Sequence, residues 1–223
     1  GIDDEIIRNE FFRGIRYPYI TNATPNKRHD GLNIARGAHA VDENVLKTEI
    51  NAKGNAVMKL ESLARMNGFE SSGAHSALFD AELTVKVLGL IKKNQPNTWD
   101  TFLRTANKID TEVIMKKEKL FTLAEYHFGK NYRYVVAPLH PKYCIHPIYQ
   151  WGQAVDLKID PTPLLNMSVS ELKTAIKKLK FLKTIRSNKA PIILDASYGM
   201  QVEPYSNLDP DLIKERAKLV TTN

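Results

Sequence analysis

Apolar residues recur at helical spacing through the first hundred residues and at strand spacing after about residue 110. In 3–13, Ile7 and Phe11 lie four apart, and Asp4 and Arg8 share that spacing on the exposed side, which predicts a helix. Loop is expected at Tyr17-Pro18-Tyr19 and over 21–26. An Ala-rich helix is expected over 32–41, and a polar surface connection over 42–56. Residues 59–66 read as a helix ended by Asn67-Gly68, where glycine supplies the left-handed cap. A Glu-Ser-Ser-Gly loop leads to a second helix over about 76–93. Leu83, Val87 and Leu90 form its apolar stripe, Lys92 and Lys93 complement its dipole, and Gln95-Pro96-Asn97 breaks it.

Beyond residue 110 the segments 118–127, 132–137, 154–159 and 191–196 are short, β-branched or aromatic, and bounded by Pro, Gly and Asn, so they read as strands. Ser168-Val-Ser-Glu171 is a capping box that opens a helix running through Leu182. Asp209-Pro210 sets a cap and a first-turn proline before one more helix. Neither an internal repeat nor a low-complexity tract is present. The pattern therefore predicts an α/β chain in two units: a mainly helical piece over 1–96 and a β-rich module over 97–215, with 216–223 as a tail or the start of another helical region.

Composition narrows the class. With 43% hydrophobic residues among 223 and 26% charged, the chain can bury a sizeable core. No apolar run reaches the ~18–20 residues that a membrane helix needs. No charged-then-apolar leader is present, and the lone Cys144 can form neither an internal disulfide nor a cysteine metal cluster, so a cytoplasmic location is expected. Lys and Arg number 32 against 25 Asp and Glu, a net +7. That balance suits a polyanionic partner, because neutralising phosphates releases counterions.

His75-Ser-Ala-Leu-Phe-Asp80 carries the most specific chemistry. It sets a histidine before a helix and a carboxylate in that helix's first turn, where the carboxylate can face a metal ion and the histidine can take a proton from water. An aspartate in a first turn also favours the helix dipole without any ligand. Two further features have both a functional and a structural reading. Lys173, Lys177 and Lys180 run beside the apolar face of Leu172, Ile176 and Leu179, with Lys183 and Arg186 following, which is either a phosphate track or the wet face of an amphipathic helix. Tyr126, Phe128, Tyr132 and Tyr134 either stack on bases or pack the sheet.

The order of several motifs goes further. Leu60-Glu-Ser-Leu-Ala-Arg-Met-Asn-Gly68, followed by His75-x-Ala-x-x-Asp80 and Thr84, resembles the third motif of the DEDD-type 3′→5′ exonucleases, and Asp3-Asp-Glu-Ile-Ile-Arg-Asn-Glu-Phe-Phe-Arg13 resembles their second. Ile-Arg-x-x-Phe-Phe-Arg13, Asn26-Lys-Arg-His-Asp30, Lys59-Leu-Glu-x-Leu63 and Lys92-x-x-Gln95-Pro96 are similar, more narrowly, to the exodeoxyribonuclease I family. Val136-Ala-Pro-Leu-His-Pro141 and Asp160-Pro-Thr-Pro-Leu-Leu165 resemble landmarks of that family's β module.

The resemblance implies a partial RNase H-like exonuclease domain followed by an SH3-like β-rich module with helical insertions. It implies 3′→5′ hydrolysis of single-stranded DNA to nucleoside 5′-monophosphates in DNA repair or recombination, with two Mg²⁺ or Mn²⁺ ions. Asp80 would be a direct metal ligand, His75 the general base and Asp3 the second-motif carboxylate. Lys59 falls where the family has a basic substrate contact, usually Arg. Arg8, Tyr19, Arg28 and Arg36 fall near strand-contacting positions. Single-stranded DNA, and through the family single-strand-binding protein, are the implied partners of a monomer. The family's first motif, Asp-x-Glu, precedes its second and has no counterpart here. The chain is therefore expected to be an internal fragment without hydrolytic activity alone. The alternatives are a non-catalytic single-strand-binding module and an exonuclease acting on RNA oligomers.

Overall fold

Alternation along the strands builds the sheet. In β1 (Phe121–His127) Phe121 and Leu123 point to one face, and Thr122 and Ala124 to the other. β2 (Lys130–Pro138) pairs with it antiparallel, and the register His127↔Lys130 leaves Phe128-Gly129 as a two-residue turn. β3 (Gly152–Asp156), β4 (Leu182–Ile185) and β5 (Ile192–Leu194) complete a five-stranded antiparallel sheet in the order β4-β3-β2-β1-β5. The computed structural model describes residues 2–21, 23, 25–70 and 76–222, with only the backbone for 2–4.

Helices cover both faces. On one, Phe121, Leu123, Val136, Ala154, Ile185 and Ile193 bury against Ile114 and Met115 of α6 (Lys108–Lys117) and against Cys144. On the other, the β2–β3 end packs Val135, Ala137 and Val155 on Ile213, Ala217 and Val220 of α9 (Pro210–Thr222). The β1–β5 end packs Ile192 and Leu194 on a helical layer made of α2 (Gly31–Val41), α3 (Leu60–Met66), α4 (Ala77–Asn94) and α5 (Pro96–Leu103). Gly37 is the close point of that seam: a Cβ there would meet Ile192 Cγ2 at 2.9 Å. α1 (Ile2–Arg13) leaves Ile6, Ile7 and Phe12 exposed.

Asp156 is fully buried and takes a 2.5 Å hydrogen bond from the Tyr205 hydroxyl. The Lys183 ammonium, itself pushed down in pKa by burial, lies 3.9 Å from that carboxylate and 3.2 Å above the Tyr134 ring. A buried carboxylate needs such partners, because unpaired charge is costly away from water.

Several expectations need correction. Gln95-Pro96-Asn97 does break α4, which ends at Asn94, but Pro96 at once opens a further helix that the sequence pattern did not predict. Pro96 takes the first position of α5, where its missing N–H costs nothing. The capping box at Ser168 forms, but α7 (Val169–Leu179) stops before Leu182, because Lys180 turns left-handed (φ 50°) and the chain enters β4. The third predicted strand is shorter than 154–159, ending at Asp156. The connection over 42–56 is anchored by buried Val45 and Leu46 and is not wholly a surface segment. α4 buries Leu83, Val87 and Ile91, with Leu90 only half-buried. α6 and α8 (Ala196–Met200) carry too little local periodicity to have been foreseen. Among the described residues no helix is long and apolar enough to cross a membrane.

Candidate nucleic-acid interface

Two clefts meet at Arg36. The first, about 990 Å³, lies between α2, α3 and α4, and Gly31, Arg36, Lys59, Thr84 and Tyr126 line it. The second, about 580 Å³, lies between α2 and the sheet, lined by Arg36, Tyr126, Asn131, Trp151, Arg186 and Lys189. Arg36 and Tyr126 belong to both, so the two clefts adjoin.

Each wall is set by local chemistry. Asp30 caps α2, its carboxylate accepting from the N–H groups of Leu32 (2.9 Å) and Asn33 (3.2 Å). That helix carries Arg36, whose guanidinium carbon sits 4.3 Å from the Tyr126 ring centroid. The Tyr126 hydroxyl donates to the Ala56 carbonyl (3.2 Å), which fixes the ring. Lys59 is the N-cap of α3 and is exposed. Glu49 accepts from Ser62 Oγ (2.9 Å) and pairs with Arg65, whose hydrogen bond, with that of Ser62, holds the Glu49 carboxyl below its ordinary range. Arg65 is thereby paired, and the positive charge of the first cleft comes from Lys59 and Arg36, set against the Glu61 carboxylate that also lines it.

Asp80 sits in the first turn of α4, half-buried, behind the Ser76 cap whose Oγ accepts from Phe79 N at 3.4 Å. Its carbonyl accepts from Thr84 Oγ1 (2.8 Å), and Thr84, one turn on, lines the first cleft. His75 lies outside the described residues. Asp3 falls in α1 by its backbone, and its side chain, like that of Asp4, lies outside them too. Among the described residues no group of three or more His, Cys, Asp and Glu is close enough to hold a metal ion. Asp80 is an oxygen donor of the kind that Mg²⁺ or Mn²⁺ takes, so what is described is compatible with such an ion in kind and offers a single donor.

Lys59 and Arg36 are thus brought to one cleft beside the helix of Asp80. Arg8 and Tyr19 pair with each other instead (5.5 Å), with Tyr17 edge-on to Tyr19, and neither lines the two clefts. Arg28 is half-buried ahead of α2 and lines neither cleft. The basic stripe divides: Lys173 and Lys177 stay on the exposed side of α7, Lys183 turns inward to Asp156, and Arg186 lies 5.2 Å over Trp151 in the second cleft. Sequence reasoning missed Asn131, Trp151 and Lys189 as cleft residues, since their meeting with α2 is a long-range contact without local signal.

The fold and these clefts define an α/β protein with a basic face. Comparison with known proteins then gives the family. No family model matches. Exodeoxyribonuclease I of Buchnera aphidicola from Acyrthosiphon pisum is 31% identical over 179 residues, 75% of this chain and 41% of that protein. Exodeoxyribonuclease I of Escherichia coli K12 is 28% identical over 211 residues, 87% of this chain and 43% of that protein. Among solved structures, Escherichia coli Exonuclease I in complex with a dA16 oligonucleotide superposes with a TM-score of 0.68 at 26% identity, over 99% of this chain and 50% of that one. An ExoI/SSB-Ct complex superposes with a TM-score of 0.69 at 25% identity, over 97% of this chain and 49% of that one. The chain belongs to the exodeoxyribonuclease I family. It spans about half or less of the length of these relatives.

Proposed function

We propose that these residues form part of a 3′→5′ exonuclease that hydrolyses single-stranded DNA to nucleoside 5′-monophosphates. The observation that carries the reading is the cleft in which Lys59 and Arg36 face the helix bearing Asp80. Arg36 supports it further. Its Nε is buried with no hydrogen-bond partner in the protein. Because that nitrogen is closed off from solvent, a phosphate in the cleft would meet the rest of the half-buried guanidinium, which lines both clefts.

In this reading Asp80 and Asp3 supply carboxylate oxygens to divalent ions, Mg²⁺ or Mn²⁺, together with further family carboxylates. Bound there, two such ions supply the positive charge that stabilises the phosphate and eases deprotonation of the attacking water. His75 takes the proton, which a histidine neutral near pH 7 can do. Lys59 and Arg36 hold the strand's phosphates. Lys59 does so as a point charge, without the two-pronged grip of an arginine. Arg8, Tyr19 and Arg28 contact the strand beyond these clefts. The antiparallel sheet corresponds to the family's SH3-like module, and the helical layer to part of its RNase H-like domain. The relative solved with SSB-Ct makes the tail of single-strand-binding protein the proposed protein partner, and a role in DNA repair or recombination follows.

The test is release of nucleoside 5′-monophosphates from a 3′-end-labelled single strand by the protein that carries this chain, with Mg²⁺ and with EDTA. Loss of an outer-shell group costs a metal site ~10–100-fold, so Asp80→Asn, removing a direct ligand, is expected to cost about 100-fold or more while strand binding in EDTA persists. Release that is unaffected by EDTA or by Asp80→Asn would refute the reading. Binding without any release, in the parent protein, would favour the non-catalytic binder.

A further inference from the structure

The β1–β2 hairpin ends on a residue that serves the fold poorly. Phe128 and Gly129 form its two-residue turn, with φ of 53° and 83°. Turns with positive φ at both central positions favour Asn-Gly or Asp-Gly, and a bulky side chain in that region is an outlier. Phe128 is also 96% exposed, so it adds nothing to the core.

The backbone beneath it is nevertheless braced. Asn55 Nδ2 donates to the Phe128 carbonyl (3.4 Å), and Asn131 Nδ2 lies 2.8 Å from His39 Nδ1. Gly129 is tucked so close that a Cβ would meet Asn55 Nδ2 at 2.5 Å. The other hairpin aromatics are occupied. Tyr126 is covered by Arg36, Tyr132 and Tyr134 stack at 5.9 Å and 5°, and Lys183 lies over Tyr134. Phe128 is the most exposed of these aromatics, on a braced tip, and His127 and Asn131 beside the turn line the cleft that also holds Arg36, Arg186 and Lys189.

We infer that Phe128 is a base-stacking residue, placed so that a nucleobase of the single strand lies on its ring while the strand's phosphates follow the basic cleft. The inference rests on the proposed single-strand activity and adds a contact to it. An aromatic ring accepts any base, because every base has a π-face, so this contact grips the strand without reading its sequence.

The experiment compares equilibrium binding of a labelled oligothymidylate and an abasic oligomer of equal length to the full chain in EDTA. Phe128→Ala is expected to weaken oligothymidylate binding about fivefold to a hundredfold, the span of one base–aromatic stack. Abasic binding and the salt dependence should hold, and Phe128→Trp should restore the affinity. Phe128→Asn separates binding from folding. It suits the turn better, so the melting temperature should rise while oligothymidylate binding falls as it does for alanine. Oligothymidylate binding within twofold of the parent in both Phe128→Ala and Phe128→Asn overturns the inference, and so does equal weakening for both oligomers. A parent that binds both oligomers equally well also overturns it, leaving the proposed function standing. A parent that binds neither removes both.

Discussion

The Arg36 guanidinium is shared between an aromatic face and an open cleft. One side lies 4.3 Å from Tyr126, and its buried Nε has no partner in the protein. A lysine there would keep the charge and lose both the planar stack and the forked grip on phosphate. Arg36→Lys is therefore expected to weaken single-strand binding about tenfold with little change in the slope against salt. Arg36→Gln should weaken it further and lower that slope by about one. Fluorescence anisotropy over a salt series checks both. Equal slopes for Lys and Gln would show that the phosphate contact lies elsewhere. At this scale Asp80 was legible as a carboxylate in a first helical turn after a histidine, whereas Arg36 and Lys59 were candidates only through family motifs. The cation–π pair with Tyr126 spans ninety positions and has no local signature, and Trp151 and Lys189 were hidden for the same reason.

At the scale of elements, caps and alternation were the legible part. The capping box at Ser168, the glycine after α3 and the alternating strands β1 and β2 all formed as local chemistry requires. Elements whose fate depends on tertiary partners were not legible. Four-residue β4 exists because it pairs with β3, and α6 because it covers the sheet. α2 shows how narrow such docking is, since Gly37 lets it close on β5. A Cβ at Gly37 would lie 2.9 Å from Cγ2 and 3.0 Å from Cγ1 of Ile192, a β-branched residue with little rotamer freedom to retreat. Alanine gains ~0.5–1 kcal/mol of helix propensity, yet overpacking costs ~1–3 kcal/mol. Gly37→Ala is accordingly expected to lower the melting temperature by about 2–6 °C, at ~2–4 °C per kcal/mol for a chain of this size. A rise in Tm would mean that Ile192 moves freely and the seam is loose.

Over the whole molecule, helical layer and sheet are joined by a few polar links, and beside that seam lie two histidines, His39 buried and His29 half-buried. Burial lowers the pKa of His39 against the opposing pull of Glu43 and Asp42, and burial likewise lowers that of His29. His39 Nδ1 faces the Asn131 amide at 2.8 Å, a link that needs the neutral ring when the amide nitrogen is the donor. The sign follows from proton counting. Below about 6.5 the unfolded chain's histidines take up protons while the folded ones stay neutral down to their depressed values. The unfolded state then binds more protons, and stability falls with falling pH. Most carboxylates titrate well below this window. Thermal melts at pH 7.5, 6.5 and 5.5 should show a progressive loss of Tm, and His39→Gln, which stays neutral throughout, should make the loss shallower. A parent Tm that is flat across the window, or a variant with the same slope, would remove His39 from the account. If the loss is found, it comes where the two layers meet under the Phe128 hairpin, so single-strand affinity in EDTA should drop over the same pH interval, and less so in the His39→Gln variant.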